Sequence, residues 1–257
     1  MNYFVNQDAW LSALIFAGLM IAGWGIGIAM RTFGGASEGG STRIEDGALA
    51  LFGLLLAFCF SGAANRYEVR KELLRDDVIA ISDFADTCSL LADPERRQLL
   101  REIRHYTEQR VRFGTTRLDA PEMPRVIRDG QDSQARMRAI IREVVVQNKT
   151  PTLHTPLVNT FNDLTSAHDK RLFGVRDHVN ENIVLMLVLL GIFTTLTMGR
   201  LQDPNGRHNL LRISAYIGLV AMVFYVTVDL EQPRRGLITV SQVPMQELSA
   251  SLRAQNP

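Results

Sequence analysis

Five histidines and two cysteines are the side chains best suited to hold a metal or attack a substrate, and their placement argues against both roles. His105, His154, His168, His178 and His208 never recur at the i, i+4 step that turns two imidazoles toward one ion. Cys59 falls in an apolar stretch and Cys88 in a charged one, so neither closes a loop. No glycine-rich phosphate loop, Gly-x-Ser-x-Gly elbow or Cys-x-x-Cys pair occurs. The 19 acidic residues between Asn65 and Asn182 permit many carboxylate pairs, but no pair is singled out for acid/base work. The sequence therefore predicts a protein that is not an enzyme and needs neither cofactor nor metal.

One constellation does stand out. Ala50, Leu54, Phe58, Ser61 and Asn65 follow one another at steps of 4, 4, 3 and 4, which places them on one face of a helix. The apolar run then passes without a break into Asn65-Arg66-Tyr67-Glu68-Val69-Arg70-Lys71. Around a common axis shared by several copies, such a stripe makes an apolar constriction that widens to a polar mouth, the arrangement of a dewetting gate. Ala50, Leu54 and Phe58 would form the neck, and Ser61, Asn65, Arg66, Glu68 and Arg70 the mouth on the cytoplasmic side. The alternative is plainer: Leu54 and Phe58 pack against neighbouring helices or lipid, and Arg66, Glu68 and Arg70 form an interfacial charged turn.

The elements that must position this stripe follow from the distribution of charge. Apolar residues make up 46% and charged residues 21% of the 257, and the mean hydropathy is +0.02. That mean averages two opposites, because residues 65–182 hold 20 of the 28 basic and 19 of the 27 acidic side chains. Four stretches are nearly free of charge: Trp10 to Met30, Gly47 to Ala64, Ile183 to Gly199 and Ile213 to Val228. The first, at 21 residues, reaches across the roughly 30 Å core of a bilayer. The last two are shorter and lean on Arg200 and Arg212 at their ends. Residues Met1 to Ala9 carry Asp8 and no basic residue, unlike a secretory signal. A disordered chain, a disulfide-stapled domain and a purely soluble enzyme are excluded. The net charge of +1 offers no basic excess for nucleic acid.

Four spans put both termini and the long middle loop on one face. Ten basic residues flank the membrane there, against Arg31, Arg43, Arg200, Arg207 and Arg212 on the other face, so the loop and termini are predicted to be cytoplasmic. The expected fold class is all-α: an integral membrane protein with four transmembrane helices and a helical cytoplasmic insert between the second and third. The expected divisions are 1–64, 65–182, 183–230 and a cytoplasmic tail, 231–257.

The insert reads as four helical pieces. From Ala63 to Ala92 no Gly or Pro intervenes, so the second span should continue as one rod. Asp93-Pro94 suggests a cap and a first-turn proline for a helix to Phe113, ended by Gly114, with Leu99, Leu100, Ile103, Tyr106 and Phe113 inside. A third helix lies within Pro124 to Asn148, where Gly130 is a possible break and Val126, Ile127, Met137, Ile140, Ile141, Val144 and Val145 are the expected core. Thr155-Pro156 opens a fourth, which buries Leu157, Val158, Phe161, Leu164 and Leu172. Arg31 to Asp46, with Gly34, Gly35, Gly39 and Gly40, suggests a flexible connection, and Asp203-Pro204-Asn205-Gly206 a turn. Gly23 and Gly27 allow close helix approach, within the chain or between copies. Thr194, Thr195 and Thr197 should bond back to their own helix. Asp229 and Glu231 could bind a cation or pair with Arg234 and Arg235.

Gly53-Leu-Leu-Leu-Ala-Phe58-Cys-Phe-Ser61-Gly-Ala-Ala-Asn65-Arg66 resembles the bacterial membrane family called bestrophin-like, as does Leu230-Glu-Gln-Pro233-Arg-Arg-Gly236-Leu-Ile-Thr-Val-Ser241-Gln. The segment Phe58 to Lys71 is also similar to the exit from the second span in bestrophins proper, although Tyr67 and Glu68 stand where that string has two tryptophans. The resemblance implies a homo-oligomer, a pentamer in bestrophins, that conducts small ions through a path lined by the second span, in the lipid bilayer of a bacterial inner membrane. The tail lacks the acidic run that holds calcium in the animal proteins, so calcium gating is not expected. An apolar neck does not by itself choose between anion and cation. A membrane-tethered helical scaffold, with residues 65–182 binding a partner and no transport, is the competing reading.

Overall fold

The computed structural model describes residues 8–34, 42–176, 179–201, 207–232, 234 and 236–254. Among them there are eight α-helices, one short 3₁₀ turn and no strand. They are α1 (Ala9–Gly34), α2 (Thr42–Ser89), α3 (Glu95–Thr115), α4 (Met123–Val146), the 3₁₀ turn Pro151–Leu153, α5 (His154–Arg176), α6 (Glu181–Leu201), α7 (Arg207–Glu231) and α8 (Val243–Ala254). The all-α membrane fold class stands. Four helices are long and apolar enough to cross a bilayer, and they match the four predicted stretches. The predicted connection from Arg31 to Asp46 is helical at both ends, α1 running to Gly34 and α2 starting at Thr42; its Gly35, Gly39 and Gly40, the turn from Asp203 to Gly206, His178, Pro233 and Arg235 lie outside the described residues.

The chain forms two units, one of residues 1–67 and 178–239 and one of 68–177 and 240–257. α2 is the predicted rod: 48 residues without interruption, about 72 Å at helical rise, more than twice a bilayer core. Only its first part, the stretch from Gly47 to Ala64, can serve as a span. α6 and α7 have 21 and 25 residues, about 32 and 38 Å, so the third and fourth spans are not short as their apolar stretches suggest. Their polar ends, Glu181 and Arg200 in α6 and Glu231 in α7, simply extend the helices past the apolar windows.

In the membrane unit, α1 lies closest to α6, and glycines set that distance. A Cβ at Gly23 would stand 2.9 Å from the Ile192 carbonyl oxygen and from Thr195 Oγ1, and one at Gly27 would fall on the Leu196 carbonyl. Gly199 meets the Trp24 carbonyl in the same way. The Gly23/Gly27 step thus packs within the chain. Thr194 Oγ1 donates to the Gly191 carbonyl at 2.9 Å and Thr197 Oγ1 to the Thr194 carbonyl at 2.8 Å, the back-bonding expected of them. Phe16 and Phe224 pack with ring centroids 4.5 Å apart, and Phe16 and Phe52 close over Gly191.

In the helical unit, the core joins Leu74, Ile81, Phe84 and Cys88 of α2 to Leu99 and Ile103 of α3, Met137, Ile141 and Val144 of α4, and Leu157, Phe161 and Leu164 of α5. Several local expectations need correction. The residue before α3 is Pro94, with no side-chain cap bond, and Asp93 bonds Arg96 at 3.2 Å. α3 runs one residue past Gly114, whose missing side chain makes room for the Gln242 amide. α4 passes through Gly130 unbroken, because the buried residues on both sides, Val126 and Ser133, keep the helix packed. Val145 and Val158 are exposed, each one position off the inward 3–4 spacing of its helix. α8, an element the sequence did not announce, buries Met245 and Leu252 in this core, and its Arg253 bonds Glu108 at 2.8 Å.

Candidate functional site

The first part of α2 has two opposite stripes. With about 100° between successive residues, Phe52, Leu56, Cys59, Ala63 and Arg66 share one side, while Ala50, Leu54, Phe58, Ser61 and Asn65 share the other. The first set is turned into the membrane unit: Phe52 is 1%, Leu56 8%, Cys59 8% and Ala63 0% exposed. The second set is exposed throughout, Leu54 at 54% and Phe58 at 66%. The predicted neck residues are therefore not wedged inside their own subunit.

The mouth residues divide between the two sides. Ser61 and Asn65 are exposed in line with Phe58. Arg66 belongs to the inward side, where its Nε donates to Glu231 Oε1 at 2.8 Å and its Nη2 lies 2.7 Å from the same oxygen. The other Glu231 oxygen accepts the Val179 backbone N–H at 3.3 Å, just before α6. Asp229 accepts the N–H groups of Leu237 and Ile238 at 3.0 and 2.8 Å, and a Cβ at Gly236 would collide with its carboxylate. So Glu231 takes Arg66 as its partner, and Asp229 caps the chain that follows α7. Among the described residues no three His, Cys, Asp or Glu side chains group as a metal site.

Within the helical unit, Glu68 is exposed and accepts Lys71 Nζ at 2.9 Å. Arg70 is 5% exposed and its Nε donates to the Gly174 carbonyl at 3.4 Å, so it is an internal brace. Arg66 and Arg70 are thus brought inward, away from the exposed stripe.

A second polar cluster was not anticipated. Asp77 Oδ2 accepts Arg110 Nε at 2.9 Å, Arg110 Nη2 at 2.7 Å and Arg171 Nη1 at 2.8 Å, with all three side chains buried. Arg110 Nη1 lies 3.0 Å from His168 Nδ1, and Tyr106 Oη 3.1 Å from the same atom. A guanidinium can only donate, so Nδ1 accepts and the neutral imidazole carries its proton on Nε2. Burial, reinforced by the Arg110 charge, pushes His168 down to about 4. Burial also opposes ionisation of Asp77, but the two guanidiniums outweigh it and hold the carboxyl below its ordinary value. Arg171 Nη2 donates to Gln242 Oε1 at 2.7 Å. The signal was present in the spacing. Asp77 interrupts the inward run Leu74, Ile81, Phe84; Arg110 the run Ile103, Tyr106, Phe113; and His168 and Arg171 prolong the run Leu157, Phe161, Leu164. Ionisable groups at inward positions of three separate helices must find one another, since each alone would be a buried polar or charged group without a partner.

A bestrophin-like domain matches residues 48–245. The chain belongs to the bestrophin-like family. No curated protein matches its sequence. The bestrophin-like chain is similar to a crystal structure of a substituted form of a bacterial bestrophin homologue from Klebsiella pneumoniae, with a TM-score of 0.71, 11% identity and 97% of each chain covered. A second substituted form of that homologue gives a TM-score of 0.68 at 11% identity, covering 94% of this chain and 96% of that one. A solved membrane protein described only as such matches at a TM-score of 0.68 and 13% identity, over 96% of this chain and 99% of the other. At such identities the likeness is one of fold.

Proposed function

We propose that this bestrophin-like chain is a channel: a homo-oligomer, with five copies as the likeness suggests, whose second spans surround one path for small ions. Ala50, Leu54 and Phe58 form the neck and Ser61, Asn65 and Glu68 the mouth, while Arg66 and Arg70 brace that mouth from behind. The observation that supports this reading is the division of α2 into a buried side and an exposed side, with the predicted stripe wholly on the exposed one. Along that side, Leu54 and Phe58 give way to Ser61 and Asn65. Facing acyl chains, such polar groups would be left with their own helix as partner; facing a wet path, they are solvated. The bilayer is the inner membrane of a bacterium, and the excess of basic residues puts both termini and the helical unit in the cytoplasm.

Phe58→Ala removes the widest side chain of the neck and should raise single-channel conductance in planar bilayers relative to the unsubstituted protein. Equal currents, or none from either form, would reject the path and leave a membrane-tethered scaffold. A native mass in detergent equal to one chain would remove the central axis altogether.

A further inference from the structure

The exposed side of α2 can face a shared path only if the helix is held at one rotation about its own axis. The apolar contacts of Phe52, Leu56, Cys59 and Ala63 pack that side by van der Waals contact but add no directional hold on the angle. A hydrogen-bonded ion pair does, because it is directional and loses its strength when the donors swing away. Arg66 is the charged residue that continues this inward side, seven positions after Cys59 and therefore almost directly beneath it. Its Nε and Nη2 both reach Glu231 Oε1, at 2.8 and 2.7 Å, and that carboxylate also accepts the Val179 N–H at 3.3 Å. Glu231 is the last residue of α7 and is 7% exposed. The pair thus ties the exit of the second span to the end of the fourth and to the start of the third.

We infer that Arg66 and Glu231 form a rotational lock on the second span: the pair sets which side of α2 meets the ion path, so that Arg66 is a positioning residue and not part of the path lining. Breaking the pair lets the membrane part of α2 turn while the later part stays held by Asp77 and the helical core, which moves Leu54 and Phe58 off the axis and brings the Cys59 side toward the path. The inference rests on the channel reading, because a water-soluble reagent finds a turned Cys59 only where the exposed side of α2 meets a wet path; the labelling needs that path but no current.

The two cysteines of the chain provide the probe. Cys59 is buried in the membrane unit and Cys88 in the helical unit, on the same helix. In full-length protein reconstituted in vesicles, a Cys88→Ser form reports Cys59 alone, and a Cys59→Ser form reports Cys88 alone. Glu231→Gln should speed the reaction of Cys59 with a water-soluble maleimide at least several-fold and leave Cys88 unchanged. The exchanged pair, Arg66→Glu with Glu231→Arg, should return Cys59 toward its original rate. Where Glu231→Gln fails to assemble, Glu231→Asp, with its charge drawn back by one methylene, should give an intermediate rate. Where the parent protein passes no current, an unchanged Cys59 rate in an assembled Gln or Asp form rejects the wet path; where it does, that result overturns the lock. So does equal acceleration at Cys88, which would mean general loosening. Selective labelling of Cys59 in protein that passes no current under any condition upholds the lock and the wet path and rejects ion conduction.

Discussion

His168 is held neutral among Tyr106, Arg110, Asp77 and Arg171, and this gives the helical unit a defined response to acid. Its folded pKa of about 4 lies below the ordinary 6.5, so the unfolded chain takes up the proton first as pH falls. The stability it contributes is present above pH 6.5 and is lost as pH falls toward 4, by up to about 3 kcal/mol at about 1.4 kcal/mol per unit. Asp77, whose pKa is also lowered, adds its own loss below that window. The apparent melting temperature in detergent, followed by circular dichroism from pH 7.5 to pH 4.5, should fall steadily. His168→Gln, which cannot ionise, should flatten the slope above the range where Asp77 protonates. A wild-type slope in that variant would place the titrating group elsewhere.

The packing of α1 on α6 through Gly23, Gly27 and Gly199 leaves no space for even one carbon at Gly27, because the obstacle is the Leu196 backbone carbonyl and not a side chain that can swing aside. Gly27→Ala should therefore force the helices apart and destabilise the membrane unit by about 1–3 kcal/mol. Gly25, where added carbon meets nothing within 4 Å, is the matched control, and Gly25→Ala should leave the melting temperature unchanged. Elements of this kind were the part most open to reading from residue order. The unbroken rod followed from the lack of Gly and Pro between Ala63 and Ala92, and the four spans from charge-free length. Helix ends were harder, since Gly114 and Gly130 look like breaks but sit in helices held by tertiary contacts. The two sides of α2 were half legible. Spacing marks the stripe, but it cannot say that Arg66 turns toward Glu231, 165 residues away, because that pairing exists only once the spans are folded. The meeting of Asp77, Arg110, His168 and Arg171 was hidden for the same reason: each helix records its own anomaly, and none records the partner.

At the scale of the whole molecule, the helical unit is assembled from two segments separated in sequence by the third and fourth spans. The later segment supplies Met245 and Leu252 to the core and Gln242 to Arg171. Ending the chain after Val240 removes two buried apolar side chains, each contributing about 2–5 kcal/mol, against a typical domain stability of about 5–15 kcal/mol. Such a truncated form should still insert in the membrane, yet be cut by trypsin within residues 68–177 far faster than the full-length protein. Equal resistance of the two forms would show that α8 is dispensable.

That late contribution imposes an order on biogenesis. While the polypeptide is being made, α3, α4 and α5 emerge with an unfinished flank and must wait through two further membrane insertions before α8 exists. At roughly 5–20 residues per second the delay lasts several seconds. During it, greasy surface meant for Met245 and Leu252 is left uncovered, and a nascent chain at that stage is a ready client for chaperones.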